Sequence, residues 1–240
     1  MRLLILGGTS EARELAARLV DDADITSSLA GRVAEPRLPV GNVRIGGFGG
    51  VPGLRKALVE YDAVVDATHP FALGMSANAA AACALDGVPL LRLERPGWHP
   101  DPAWHYVDSH EEAAHAAAGL GARPFITVGR RELPRLLPAL DAYPVLTRVV
   151  DTPEMTVPDN WEVVRSRGPY SLRGELALMQ RHRCDVLVTK DSGGTYTWPK
   201  MEAASLLGVE VVIIRRAAGP EGVPTVNLVD AAVAWVMKHA

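Results

Sequence analysis

The sequence contains few of the residues that cross-link a chain or cluster around a metal. Its 240 residues include two cysteines, Cys83 and Cys184, which form no C-x-x-C motif. Neither a disulfide framework nor a cysteine-based zinc site is therefore expected. The seven histidines form no H-E-x-x-H or H-x-H pattern, so no metal is expected from them either. We interpret both cysteines as reduced core residues of a cytoplasmic protein.

Long apolar runs and a strong net charge are also lacking. No window approaches the roughly 20 apolar residues that a membrane span requires, so no membrane partner is expected. The net charge of −3 provides no general basic field, which argues against a nucleic-acid partner. With 48% hydrophobic and 22% charged residues, the composition is typical of a globular protein.

Apolar runs alternate with amphipathic or alanine-rich segments along the whole chain. Strands are predicted at residues 2–6, 24–29, 43–46, 62–67, 89–93, 124–128, 145–149, 161–165, 185–190 and 210–214. Helices are predicted at residues 10–20, 51–60, 72–86, 110–118, 132–140, 171–182, 199–207 and 229–238. This alternation predicts an α/β protein with mainly parallel sheets covered by helices.

A proline-rich stretch, Arg95–Pro102, interrupts the alternation. Prolines and glycine at this density are typical of a connecting segment, so we place a domain boundary here. We expect two Rossmann-like domains, residues 1–98 and 99–240, with a cleft between them. Such clefts are common ligand sites.

The first 20 residues predict a phosphate-binding turn. A buried strand, Arg2–Leu6, ends at Gly7-Gly8-Thr9-Ser10-Glu11, and a helix follows directly. Free N–H groups and the positive end of the helix dipole favour a phosphate at such a point. The turn is not a complete G-x-G-x-x-G motif, however. The alternative is a tight turn in which Ser10 only caps the helix.

The second predicted strand ends in polar residues that bear on the choice of cofactor. Ser27 and Ser28 lie at its end and Arg32 in the loop that follows, and no carboxylate occurs in this loop before Glu35. An acidic residue here would bind the ribose 2′-hydroxyl of NAD, whereas a basic one accommodates the 2′-phosphate of NADP. The segment therefore favours NADP(H). The alternative is that Arg32 is a solvated loop residue.

Asp66, Thr68 and His69 follow another buried strand, where parallel sheets bind ligands. His69 could contact a cofactor or donate a proton to a substrate. The alternative is that Thr68 or His69 merely caps the next helix.

Basic residues follow successive strands in the second half of the chain. They are Arg130, Arg131, Arg148, Arg165 and Arg167. Because the carboxyl ends of parallel strands share one edge, these arginines would converge on a rim. Such a rim predicts a polyanionic ligand.

A further strand leads into Lys190-Asp191-Ser192-Gly193-Gly194, where glycines allow close approach of a ligand, and Lys200 is expected to point into the same cleft. Tyr196 and Lys200 also match the Y-x-x-x-K spacing of short-chain dehydrogenases. We discount this match because Pro199 and the two glycines place Tyr196 before the helix.

Several segments, taken in order, resemble the precorrin-6A reductase family, including its cobalt-precorrin-6A counterpart. They are Leu6–Arg13, Ser28–Arg32, Asp66–Ala72, Arg92–Pro96 with Trp98, Gly129–Leu133, Arg167–Tyr170, and Thr189–Gly194 with Lys200–Ala204. The resemblance covers nearly the whole chain. It implies NADPH-dependent reduction of one double bond of precorrin-6A to give precorrin-6B in cobalamin biosynthesis.

The resemblance also guides the expected roles. The cofactor would be bound by Gly7, Gly8, Thr9, Ser10, Glu11, Ser28, Arg32, Thr68 and His69. The tetrapyrrole would be bound by Arg130, Arg131, Lys190, Ser192, Gly193, Gly194 and Lys200. Asp191, His69 and solvent are the candidate proton donors.

The implied function is compatible with transient contacts between this protein and neighbouring pathway enzymes. Two alternatives remain open: another NADP(H)-dependent oxidoreductase of the short-chain type, and a non-catalytic nucleotide sensor.

Overall fold

The structure, a computed structural model, describes residues 1–31 and 36–239 and contains two compact units. The first unit consists of Met1–Pro96 and Ala217–Ala240, and the second of Gly97–Arg216. The sequence analysis placed the boundary after residue 98, and the two units divide after Pro96. The C-terminal segment belongs to the first unit, however, and not to the second domain as expected from the sequence.

The first unit contains a six-stranded sheet. Its strands are β1 (Arg2–Leu6), β2 (Asp24–Leu29), β3 (Asn42–Ile45), β4 (Ala63–Asp66), β5 (Leu90–Leu93) and β12 (Thr225–Val226). Its helices are α1 (Ser10–Leu19), α2 (Gly50–Leu58), α3 (Leu73–Asp86) and α8 (Val229–His239). The strands are ordered β3-β2-β1-β4-β5-β12, and all pairs are parallel. This is the order of a doubly wound dinucleotide-binding sheet, whose ligand site lies between β1 and β4.

Both faces of this sheet are covered. Leu3 and Ile5 of β1 pack in one core with α1 and α8, where Val236 is buried. Leu4 and Leu6 pack in a second core that includes residues of α2 and α3. Successive side chains of a strand point to opposite faces, which explains the continuous apolar run of β1. The apolar face of α8 completes the first core, so the C-terminal segment joins this unit.

The second unit contains another six-stranded sheet. Its strands are β6 (Trp104–Val107), β7 (Pro124–Ile126), β8 (Leu146–Val149), β9 (Glu162–Arg165), β10 (Val186–Lys190) and β11 (Glu210–Ile214). Its helices are α4 (His110–Leu120), α5 (Leu133–Leu140), α6 (Leu172–His182) and α7 (Pro199–Leu207). The parallel strands are ordered β9-β8-β7-β10-β11-β6. The strand order reverses between β7 and β10, which marks the expected ligand site of this sheet.

The predicted fold class is confirmed: both units are α/β with parallel sheets and Rossmann-like order. Every predicted strand and helix is present, with ends within two residues of the prediction. Strands β6 and β12 were not predicted, because one follows the proline-rich stretch and the other is two residues long. None of the described helices combines the length and the apolarity that a membrane span requires.

Candidate functional site

The glycine turn after β1 lies at the strand-order reversal of the first sheet. The N–H of Gly7 donates to the carbonyl oxygen of Ser28 at 2.9 Å. Gly8 has a φ of 117°, which favours glycine. A Cβ on Gly7 would lie 3.5 Å from the Cβ of Ala12, whereas one on Gly8 would have no atom of the described residues within 4 Å. The backbone is thus held against β2 and α1 while open space remains beside Gly8.

Thr9, and not Ser10, caps α1. The Thr9 hydroxyl accepts a hydrogen bond from the Ala12 N–H at 3.1 Å and donates one to the Ala67 carbonyl at 2.8 Å. Ser10 is the first residue of the helix, and its hydroxyl donates to Glu11 at 3.1 Å. The cap predicted under the alternative interpretation is therefore wrong by one residue. Thr9 also joins the turn after β1 to the chain after β4.

Glu11 is paired with a cation that the sequence analysis did not assign. A guanidinium nitrogen of Arg95 lies 2.8 Å from the Glu11 carboxylate. Burial acts to raise the pKa of Glu11, but the charge of Arg95 and hydrogen bonds from the Glu11 backbone and Ser10 outweigh it. The net pKa is lowered, so Glu11 is ionised at neutral pH. Arg95 offsets the repulsion that this carboxylate would exert on a phosphate.

Ser28 contacts another arginine that the sequence analysis missed. Ser28 is 7% exposed, and its hydroxyl accepts a hydrogen bond from Arg44 at 3.0 Å. Arg44 lies on β3, directly opposite Ser28 in the parallel register. Only the pairing of β2 with β3 brings the two side chains together. In the sequence, an arginine in a strand just before the glycine-rich segment 46–50 was a usable signal for a second binding residue. Arg32 lies outside the described residues.

Asp66 and Thr68 form a buried network at the end of β4. Asp66 and Arg92 are each 2% exposed, and their side chains pair at 2.7 Å. The hydroxyl and the N–H of Thr68 donate to Asp66 at 2.7 Å and 3.1 Å. The alternative interpretation, a helix cap, does not hold, because α3 has Ala72 as its N-cap residue and no side-chain cap. The network fixes the chain at the edge where a cofactor is expected.

His69 is partly exposed beside this network. Its Nδ1 accepts a hydrogen bond from the Phe71 N–H at 3.2 Å. An imidazole that accepts at Nδ1 is neutral and carries its proton on Nε2. In this tautomer the Nε2–H is a hydrogen-bond donor.

The arginines of the second unit do not all form a rim. Arg130, partly exposed, lies 3.9 Å from Asp151 and 3.8 Å from Glu154. The remaining exposed arginines after these strands are Arg131, Arg165 and Arg167. Arg148, by contrast, is buried, pairs with Glu175 and stacks on Tyr170, 3.7 Å from the ring centroid. The prediction that Arg148 contributes to the rim is wrong, because α6 covers that face of β8.

The loop after β10 holds the predicted group of polar residues and glycines. The Ser192 N–H donates to the Lys190 carbonyl at 2.7 Å, and Gly193 and Gly194 have φ values of 61° and 69°. Asp191 accepts a hydrogen bond from the Trp98 N–H at 3.0 Å and lies 3.6 Å from a nitrogen of Arg216. These contacts hold Asp191 as an anchor for the chain at Trp98.

Lys200 lies beneath this loop and is only 3% exposed. Its Nζ donates to the Thr197 carbonyl at 3.3 Å and lies 4.8 Å from the centroid of the Trp98 ring. Burial, reinforced by the charge of Arg148, lowers the pKa of Lys200 to about 7. Lys200 is therefore a buried amine, whereas the sequence analysis expected it to point into a cleft.

Tyr196 does not form a catalytic pair with Lys200. Tyr196 is 44% exposed and precedes α7, which begins at Pro199. The two side chains differ in exposure and do not share a helix. The geometry does not support the short-chain dehydrogenase alternative.

The two cysteines are free and take no part in these sites. Burial raises the pKa of each thiol to about 11, so neither is a reactive thiolate at neutral pH. Within residues 1–31 and 36–239, no three His, Cys, Asp or Glu side chains are grouped so that they could hold a metal ion.

Comparison with known proteins gives a consistent result. Residues 2–237 match the family model "Precorrin-6x reductase CbiJ/CobK". Precorrin-6A reductases from Rhodococcus erythropolis and Mycobacterium tuberculosis (strain H37Rv) are 48% and 49% identical, each covering 98% of this chain and 97% of the relative. A cobalt-precorrin-6A reductase from Methanothermobacter thermautotrophicus is 31% identical, over 97% of this chain and 80% of the relative.

A solved structure, "CobK precorrin-6A reductase", matches with a TM-score of 0.92 and 36% identity. The match covers 100% of this chain and 97% of that chain. Together with the family model, which spans nearly all of the sequence, this similarity assigns the chain to an enzyme family. The chain belongs to the precorrin-6x reductase (CbiJ/CobK) family.

Proposed function

We propose that this protein reduces one double bond of the precorrin-6A macrocycle to give precorrin-6B in cobalamin biosynthesis, with NADPH as the reductant. The observation that carries the proposal is the 48% identity, over nearly the full length of both chains, to a precorrin-6A reductase. Three cobalt-precorrin-6A reductases are 28%, 30% and 31% identical to this chain. We therefore infer that the metal-free macrocycle is the preferred substrate.

The first unit fits a nicotinamide dinucleotide. Its sheet has the dinucleotide-binding order, and the turn of Gly7, Gly8, Thr9, Ser10 and Glu11 lies at the reversal point, with open space beside Gly8. Ser28 and Arg32 would contact the ribose 2′-phosphate, and Thr68 and His69 would border the nicotinamide. The cofactor, when bound, supplies the hydride.

The second unit fits a ligand with several carboxylates. We place Arg130, Arg131 and Lys190 against substrate carboxylates, because guanidinium groups bind carboxylates in a bidentate manner. Ser192, Gly193 and Gly194 would let the loop backbone approach the macrocycle closely. Lys200, beneath the loop, would contribute its partial charge to the local field. The task of these residues is orientation of the reacting carbon.

The reduction also requires one proton, and we infer that solvent supplies it. We assign to His69 a hydrogen bond to the cofactor through Nε2–H, since its Nδ1 accepts from the Phe71 N–H. Asp191 accepts a hydrogen bond from the Trp98 N–H and lies 3.6 Å from a nitrogen of Arg216, so we assign to it the anchoring of the chain at Trp98. Both side chains are thus assigned to other tasks, which leaves solvent as the proposed donor.

A cytoplasmic location and transient contacts with neighbouring pathway enzymes remain predictions. Both follow from the proposed pathway, and the free cysteines agree with a reducing compartment.

The test is to mix the purified protein with NADPH and precorrin-6A, excluding oxygen, and to follow NADPH absorbance and the macrocycle spectrum together. Coupled changes with equal stoichiometry are expected. Cobalt-precorrin-6A replaces the substrate, and NADH the cofactor, in two parallel reactions. Both reactions should be slower than the one with precorrin-6A and NADPH. Cofactor binding without oxidation in the presence of either macrocycle would contradict the proposal and favour the sensor alternative.

A further inference from the structure

We propose that Arg44, acting with Ser28, contacts the 2′-phosphate of the cofactor and sets the preference for NADPH over NADH. This inference rests on the proposed function, since it concerns the cofactor site of that enzyme. It adds a specificity residue on β3 to the loop after β2, which the sequence analysis had singled out.

The position of Arg44 in the fold supports this role. In a sheet of this order, the residue that distinguishes the ribose 2′-hydroxyl from a 2′-phosphate follows the second strand. Ser28 is at the end of β2, and Arg44 lies opposite it on the neighbouring strand β3. Both side chains are therefore at the edge of the sheet where the adenosine ribose is expected.

The guanidinium group of Arg44 is oriented by neutral partners. Its NH1 donates to the Ser28 hydroxyl at 3.0 Å and to the Gly46 carbonyl at 3.1 Å, and its Cζ lies over the Phe48 ring, 3.8 Å from the centroid. A longer contact of 3.4 Å reaches the Gly47 carbonyl. None of these partners is negatively charged. The Arg44 guanidinium group is therefore held in one orientation by partners that do not neutralise its charge.

The surroundings also provide space and a second donor. Among the described residues, no atom would lie within 4 Å of a Cβ on Gly46 or Gly47, so these residues leave space beside the two glycines whose carbonyls Arg44 contacts. The Ser28 hydroxyl accepts from Arg44, which leaves its proton available for another acceptor. A phosphate could thus accept hydrogen bonds from both Ser28 and Arg44. The charge-assisted hydrogen bond from Arg44 would be the stronger one.

The experiment measures the dissociation constants of NADPH and NADH for the wild type, Arg44→Gln, Arg44→Lys and a control, Arg55→Gln. Arg55 belongs to the same unit but pairs with Asp86 at 2.6 Å. Loss of a charged hydrogen bond predicts that Arg44→Gln weakens NADPH binding about 10- to 100-fold. NADH binding should stay close to wild type, which also shows that the variant is folded. The NADPH dissociation constant of Arg44→Lys should lie between those of the wild type and Arg44→Gln, because an ammonium keeps the charge but lacks the bidentate geometry.

Three results would overturn the inference. Equal weakening of NADPH and NADH would mean that Arg44 only supports the glycine loop. An unchanged preference in Arg44→Gln would leave the 2′-phosphate to Arg32, while the proposed reductase remains intact. A wild type without any preference for NADPH would contradict both this inference and the cofactor named in the proposed function.

Discussion

The hydroxyl of Thr9 lies 2.8 Å from the carbonyl oxygen of Ala67 and 3.1 Å from the N–H of Ala12. One side chain thus caps α1 and ties the glycine turn to the end of β4. These two segments border the reversal point where a dinucleotide is expected. The stability of the helix and the shape of the cofactor site therefore depend on the same atom.

We expect Thr9→Ala to lower the free energy of unfolding by about 1–2 kcal/mol, the usual cost of losing an N-cap. Thr9→Ser keeps the hydroxyl and should lose much less. NADPH binding should weaken in the alanine variant only, because the turn loses its contact with Ala67. Urea unfolding and equilibrium binding test both effects. A Thr9→Ala variant with wild-type stability would contradict the capping role.

The ion pair of Asp66 with Arg92 predicts a large effect on stability. Both side chains are 2% exposed, so Arg92→Ala would leave a buried carboxylate without its cation. The expected loss is about 3–5 kcal/mol in the free energy of unfolding. The exposed pair of Arg2 with Asp62 is a matched control, and Arg2→Ala should change stability little. Similar small losses for both variants would show that the buried pair is dispensable.

Lys200 predicts a specific pH dependence of stability. Burial lowers its pKa from 10.5 to about 7, so between these values the unfolded chain binds a proton that the folded chain does not. Unfolding free energy should therefore rise with pH across this window, relative to a Lys200→Met variant that has no such titration. Urea unfolding of both proteins over a pH series measures the difference. Parallel curves for the two proteins would mean that Lys200 titrates normally.

The assignment of His69 to cofactor binding is tested by His69→Gln and His69→Phe. The glutamine amide can replace the Nε2–H donor, whereas phenylalanine cannot, so NADPH should bind more weakly to His69→Phe alone.

Asp191→Asn keeps an acceptor for Trp98, and its kcat should stay near wild type. A loss of kcat of about 100-fold or more, with unchanged cofactor binding, would identify the altered residue as the proton donor.

Much of the fold was predictable because the signals are local. The apolar run of β1 followed directly by glycines predicted a buried strand and a turn, and both are present. Pro199 and the two glycines placed Tyr196 before α7, as the structure has it. Strand β12 lacked such a signal because two residues carry no periodicity, and its pairing with β5 joins distant parts of the chain.

The candidate site was predictable only in part. The sequence by itself determined the α/β class, the glycine turn, the glycine loop after β10 and the ordered motifs that carry the family resemblance. Tertiary structure decided that α8 completes the first core, that Arg148 and Lys200 are buried, and that Arg44 meets Ser28. The physical reason is that the environment of a polar side chain depends on which distant helix or strand covers it, and residue spacing along the chain does not contain that information.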